Sequence, residues 1–303
     1  MRNFSVLHKH ISPTDFSTTT ISNCFVELVD CVRKFSGREV ILVPNTGNAG
    51  DGLLAFSAQQ FLNEAGVNFR VSEDWSQTSS DDVVFLSPGG ALIHEYQGFY
   101  EDLCRGFIQT DAREVILLPN TVHHLFNPSA FDSDRLTIFC RDRKSFAYCS
   151  SQLKKAKVHL APDLALSRLL SNRQPTIKPF VQVFTQMNFS QRIKLVRFVI
   201  CSMLVAHTSL TLYRTDIEAT IPTSGTTNVD LASYYNSKFL IDGEAEVVSF
   251  FLFKALRQRK SIRTNRLHTV ISGILCNKVV TYCDNSYGKI EAVFDVAGVV
   301  TKA

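Results

Sequence analysis

The sequence predicts an α/β fold built on parallel β-sheet. Three observations predict it: apolar runs of about five residues that do not alternate, a polar or glycine-rich cluster closing each run, and segments of helical spacing between them. A run that is apolar on both faces belongs to a strand covered on both sides. That is the habit of parallel sheets; half-wet antiparallel strands alternate.

The first run is Glu39-Val40-Ile41-Leu42-Val43, and it stops at Pro44. A glycine-rich turn from Asn45 to Gly52 follows. Residues 53–65 then place Leu54, Ala58, Phe61 and Leu62 on one helical face, and Gly66 ends the segment. Residues 67–71 form the next strand. Residues 82–86 close at Ser87-Pro88-Gly89-Gly90, residues 114–118 at Pro119-Asn120-Thr121, and residues 136–140 at Arg141-Asp142. Ligands of such sheets collect beyond the carboxyl ends of the strands, where each of these clusters falls.

A polar stretch at 171–179, with Pro175 and Pro179, divides the chain into residues 1–175 and 176–303. Beyond it lie a helix over 190–206, a strand over 210–213 ending in Arg214-Thr215-Asp216, and a loop over 222–230. A helix over 244–259 and a brief strand over 261–263 follow. A turn and helix over 264–275 carry Arg266-Leu267-His268, and a strand over 279–282 leads to the polar segment 285–289.

Composition bounds the function. A chain of 303 residues has room for two domains, and 45% apolar with 20% charged residues marks it as globular. A net charge of +4 falls short of the basic face that nucleic acid requires, yet allows a local basic cleft for an anionic substrate. The eight cysteines form no CxxC pair and no Cys/His set of zinc spacing, so they read as small hydrophobes. The first twenty residues lack the apolar core of a signal peptide. The most apolar stretch, 193–213, is interrupted by Lys194, Arg197 and His207 and is too short in its uninterrupted part to span a bilayer. It reads as a buried or interfacial helix with a basic start, which suits peripheral membrane contact. The expected location is the cytoplasm, with the membrane surface as a second place of residence.

Several residues can carry chemistry. The turn with Gly47, Gly50 and Gly52 is neither GxGxxG nor a P-loop, because no Lys follows. It serves either a tight strand-to-helix turn or the close approach of a ligand. Asp51 suits a helix start in both cases. Arg266 and His268 combine a cation, a helix N-terminus and a proton carrier, which can hold an anion and protonate it. The plainer reading is a histidine that caps or packs its helix. Arg214, Asp216 and Glu218 form either a second cationic lip or a solvated loop. Arg141-Asp142 reads as an internal ion pair. His123-His124 has no third ligand nearby, so no metal is expected.

Taken in order, the motifs Asn48-Ala49-Gly50-Asp51, Ser87-Pro88-Gly89-Gly90-Ala91, Leu118-Pro119-Asn120-Thr121, Phe139-Cys140-Arg141-Asp142, Ala161-Pro162-Asp163-Leu164-Ala165, Tyr213-Arg214-Thr215-Asp216, Arg266-Leu267-His268 and Tyr287-Gly288-Lys289-Ile290 resemble the polysaccharide pyruvyl transferase family. Their order and spacing, from about residue 40 to about 290, make the set specific. Ala91 departs from the family, which often has a third glycine there, and residues 176–208 match no pattern of it.

The resemblance implies a GT-B-like pair of Rossmann-like lobes with the active site in the interlobe cleft. Residues 1–175 would be the acceptor side and 176–303 the donor side. It also implies that phosphoenolpyruvate donates a pyruvyl group to a sugar of a polysaccharide or glycan precursor, forming a ketal. A donor with a carboxylate and a phosphate calls for converging cations, here Arg214 and Arg266 with Lys289 in support. His268 would be the general acid, Asp51 would orient or deprotonate the acceptor hydroxyl, and Asn48, Gly89 and Gly90 would line the acceptor side. No metal or other cofactor is required, because arginines can neutralise the donor. The alternatives are a GT-B glycosyltransferase using a nucleotide-sugar and an inactive binding protein of the same fold. The acceptor, free or lipid-linked, and the oligomeric state are not legible in the sequence.

Overall fold

The computed structural model describes residues 8–93, 97–123, 128–171, 173–204, 210–214, 228–284 and 288–299, with backbone alone at 91, 97, 99, 100, 204 and 210. The fold is mixed α/β with mostly parallel sheets. The larger sheet has the strand order Asn68–Val71, Glu39–Val43, Val83–Leu86, Glu114–Val122, Leu136–Cys140, Lys157–Leu160, all parallel. The strand Gly89–Leu92 adds to the far end of Glu114–Val122. A second sheet runs Lys9–Ile11, Val280–Tyr282, Ile262–Thr264, Leu210–Leu212. Its last three strands are parallel and the first is antiparallel. Gly47–Asn48 pairs antiparallel with Asn236–Ser237.

The lack of alternation in the apolar runs has its expected cause. Val40 and Leu42 face one core, together with Phe85, Leu118 and Phe139, while Ile41 faces another with Val84, Leu86, Leu117 and Ile138. The first core is continuous with the second sheet through Ile262, Val280 and Tyr282. The helix Ala49–Glu64 lies inside it, buried from Leu53 to Leu62 and packed against the helix Glu244–Arg257. A helix with apolar residues on every side, as this one has, belongs in such a place. Each fully buried Leu or Phe contributes about 1.5–3 kcal/mol, so this helix is the central strut.

Three boundaries differ from the sequence expectation. The strand expected to end at 118 continues to Val122, because Gly89–Leu92 pairs with its far half. Pro119, which has no N–H to give, sits at the register shift between Leu117 and Asn120. The helix expected from 53 begins at Ala49, because Asn48 and Asp51 cap each other. The segment expected at 190–206 is a helix over Phe189–Leu204, preceded by a shorter helix over Phe180–Gln186. Asp216, Glu218, His124, Tyr287 and the loop residues 222–227 lie outside the described residues.

Candidate active site

The larger sheet delivers its polar groups at the carboxyl ends of the strands. Arg141 follows Leu136–Cys140 directly and is wholly buried. Its Nε donates to Thr121 Oγ1 at 2.9 Å and its Nη1 to Asp163 Oδ2 at 2.6 Å. Its Nη2 is buried with no hydrogen-bond partner among the described residues. The sequence reading of an internal ion pair is right about Arg141, but the partner is Asp163. Asp142 caps the helix Arg143–Gln152 by accepting from Ser145 N and Ser145 Oγ.

Asp163 follows Pro162 and caps the turn Leu164–Leu169, accepting from Ala165 N at 3.0 Å. Its Oδ2 also stands 3.7 Å from His268 Nε2, an electrostatic contact longer than a hydrogen bond. Burial opposes ionisation of this carboxyl, but Arg141 first, then His268 and the Ala165 amide, outweigh it and hold it down at about 2. The carboxylate is therefore a fixed negative charge at the back of the imidazole.

His268 comes from the other sheet, one residue into the helix Leu267–Leu275 that follows Ile262–Thr264. Its ring lies against the start of the helix Ala49–Glu64. A Cβ on Gly50 would stand 3.0 Å from His268 Cβ and 3.2 Å from Nδ1. This close approach gives the glycine of Asn48-Ala49-Gly50-Asp51 a purpose beyond chain reversal. The two polar members of that motif act locally: Gly50 N donates to Asn48 Oδ1 and Asn48 N to Asp51 Oδ2, both at 2.8 Å.

Gly90 is the second close approach. A Cβ there would collide with Arg141 Nη2 and stand 3.2 Å from Lys289 Nζ. Lys289 opens the helix Lys289–Val296, whose first turn is capped by Asp284 and whose far end is tied by Asp295 to Arg143. Lys289 also shares a narrow recess with Thr121, His123 and Asp142. Gly89 faces Asn45 and Asn120, whose amides donate to the carbonyls of Ser87, Pro88 and Leu118. Asn45, Ser87, Asn120, Trp75 and the ion-paired Glu73 and Lys238 line a cavity of about 290 Å³ beside it.

Arg214 and Arg266 stand at the ends of adjacent parallel strands, since Leu212 pairs with Thr264. Both are buried. Arg214 N donates to Asn265 Oδ1, and the Arg266 guanidinium grips Asp230 with Nε at 2.7 Å and Nη2 at 2.6 Å. Asp230 neutralises the cation that the sequence offered as a donor clamp, and fixes its direction.

The structure thus brings His268 to Gly50 and to Asp163, which also holds Arg141, and brings Arg141 and Lys289 to Gly90. Sequence reasoning did not select Asp163, Asp230 or Asn45, and gave Arg141 a structural role only. A signal for Asp163 was present, namely an acidic residue after Pro162 between apolar neighbours. Among the described residues no group of three or more His, Cys, Asp or Glu could hold a metal.

Comparison with known proteins agrees with the motifs. The chain matches the model of the polysaccharide pyruvyl transferase family over residues 48–287. It is 24% identical over 294 residues to EpsO of Bacillus subtilis, provisionally named a pyruvyl transferase, with 86% of this chain and 85% of that protein covered. The crystal structure of a functionally uncharacterised protein of Klebsiella pneumoniae has the same fold, with a TM-score of 0.67 at 23% identity over 91% of this chain and 93% of that one. The chain is a member of the polysaccharide pyruvyl transferase family.

Proposed function

We propose that the protein transfers the pyruvyl group of phosphoenolpyruvate to two hydroxyls of a sugar in a polysaccharide precursor, releasing phosphate and leaving a cyclic ketal. The observation that carries this reading is the buried guanidinium of Arg141. One of its nitrogens has no partner among the described residues and is directed to Gly90 beside Lys289. A buried polar group left without a partner costs about 1–3 kcal/mol, more when charged, and a dianionic ligand at that point recovers the cost.

In this reading Arg141 and Lys289 hold one anionic end of the donor, and Arg214 holds the other at the carboxyl end of the second sheet, beside Arg266, whose charge Asp230 already balances. Residues 1–175 and 176–303, apart from the strand Lys9–Ile11 that joins the second sheet, act as acceptor and donor lobes of a GT-B-like pair, with the reaction in the cleft between them and Arg141 reaching the donor from the acceptor lobe. His268, backed by Asp163, delivers a proton to the donor methylene as the first sugar hydroxyl adds to the enol carbon. The second hydroxyl then displaces phosphate, whose developing charge the arginines and Lys289 stabilise. Asp51 keeps the role of orienting the acceptor hydroxyl through the oxygen its capping bond does not use. Asn48, Gly89 and the cavity at Asn45 and Asn120 receive the sugar. No metal or cofactor enters the scheme.

The test is release of inorganic phosphate from phosphoenolpyruvate, dependent on an added sugar acceptor. Release of a nucleoside diphosphate from a nucleotide-sugar in place of phosphate would overturn the proposal.

A further inference from the structure

The helix Phe189–Leu204 buries one face, with Leu195, Phe198 and Ser202 against the core. Its opposite face is also apolar and has nothing packed on it among the described residues. Phe189 is 79% exposed, Ile193 53%, and Val196, Ile200 and Met203 are exposed as well. Their spacing of four, three, four and three residues draws a straight outward stripe. Val181, 72% exposed on the preceding helix, extends the apolar surface, and an open groove of about 550 Å³ lies between Phe184 and the stripe.

The charge on the helix itself has one sign. Arg192 stands on one flank, donating to the carbonyls of Phe184 and Thr185 and stacking on the Phe184 ring at 5.4 Å. Arg197 stands on the other flank over the Tyr234 ring at 5.0 Å, with Lys194 exposed further round. From Leu164 to Thr215 the sequence carries seven Lys and Arg residues and no Asp or Glu. Packing the stripe against a second copy would set these cations against one another with no carboxylate on either helix to separate them. The complementary partner is apolar below and anionic above.

We infer that this face docks on a lipid bilayer bearing anionic headgroups. The side chains of Phe189, Ile193, Val196 and Ile200 enter the headgroup–acyl boundary, Arg192 and Arg197 lie at the level of the phosphates, and Lys194 stands behind them within reach of the headgroup field. No described helix is long and apolar enough to cross a membrane, so this helix lies in the surface plane. The inference does not depend on the transfer chemistry. Taken with the proposed function, and resting on it, it makes the acceptor a lipid-linked sugar.

The test is co-sedimentation of the full chain with vesicles, read without donor or acceptor so that its failure is separate from failure of the transfer reaction. The chain should bind vesicles of mixed phosphatidylglycerol and phosphatidylcholine, release in high salt and ignore pure phosphatidylcholine. The pair Lys194→Gln with Arg197→Gln should lower partitioning roughly 25-fold, about five-fold per cation. The pair Ile193→Ser with Ile200→Ser should lower it too, with the circular dichroism spectrum of the wild type. Equal binding to both vesicle types, no binding to either, or binding untouched by both pairs overturns the inference. A solution dimer that both pairs dissociate also overturns it, and makes the stripe a contact between copies.

Discussion

The carboxyl ends of the two sheets both bury arginine, and Arg141 and Arg266 are treated differently there. At the end of the second sheet, Arg266 meets Asp230 fork to fork, with two nitrogens on two oxygens of one carboxylate. At the end of the larger sheet, Arg141 gives one nitrogen to Asp163 and one to Thr121, and packs the third against the backbone of Gly90 with no partner among the described residues. The first arrangement fixes orientation and cancels charge. The second leaves donor capacity unspent inside the protein, which is costly unless something else uses it. His268 joins the two ends: its helix follows a strand of the second sheet and its ring faces the carboxylate that holds Arg141.

That contrast can be broken experimentally. The largest effect belongs to the joining residue. His268→Ala should lower turnover by about 10²- to 10⁴-fold in an acceptor-dependent phosphate-release assay, and full activity removes the imidazole from the mechanism. Next come the two arginines. Arg141→Ala and Arg266→Ala each strand a buried carboxylate, so urea denaturation should show a loss of about 3–5 kcal/mol in both. If Arg266→Ala costs nothing, its fork on Asp230 is not the structural clamp described above. Gly90→Ala is smaller in stability, about 1–3 kcal/mol from overpacking against Arg141, and should weaken phosphoenolpyruvate binding measured by calorimetry. Gly98→Ala, in the helix Gln97–Gln109 where a Cβ meets nothing within 4 Å, is the control: it should leave donor binding unchanged and cost no stability.

Acid sensitivity at the larger sheet is close in size to the Gly90 substitution. The folded carboxyl of Asp163 lies at about 2, below its ordinary 3.8, so the unfolded chain takes up its proton first as the pH falls. The resulting stability, roughly 2 kcal/mol, is fully present above about pH 4 and is lost as the pH falls through about 2. Asp142 is held at about 2 as well. Burial opposes this, and the His123 ring and the Ser145 groups outweigh it, so the same window applies. Urea denaturation between about pH 4 and about pH 2 should show the decline, and Asp163→Asn should remove its own share.

The strands were legible because burial on both faces leaves a plain mark, as in Glu39–Val43 and Leu136–Cys140. The capping box at Asn48 and Asp51 was legible in principle, since the two residues stand at the spacing such a box requires. The apolar spacing alone starts the helix at Leu53, four residues late, although Asp51 already suits a helix start. The pairings of Arg141 with Asp163 and of Arg266 with Asp230 were not legible, because 22 and 36 residues separate the partners and only the folded sheet ends bring them together. Gly106 makes the same point: it lies mid-helix for want of space, since a Cβ there would collide with the Trp75 ring.

The strand Lys9–Ile11 pairs with Val280–Tyr282 at the edge of the second sheet. It is made before its neighbour, which lies roughly 270 positions further along the chain. At about 5–20 residues per second, it waits roughly 15–50 s for that neighbour to be synthesised. Through that interval its open edge is exposed to other chains, so crowding and chaperone supply bear on the yield of this protein more than on its final stability.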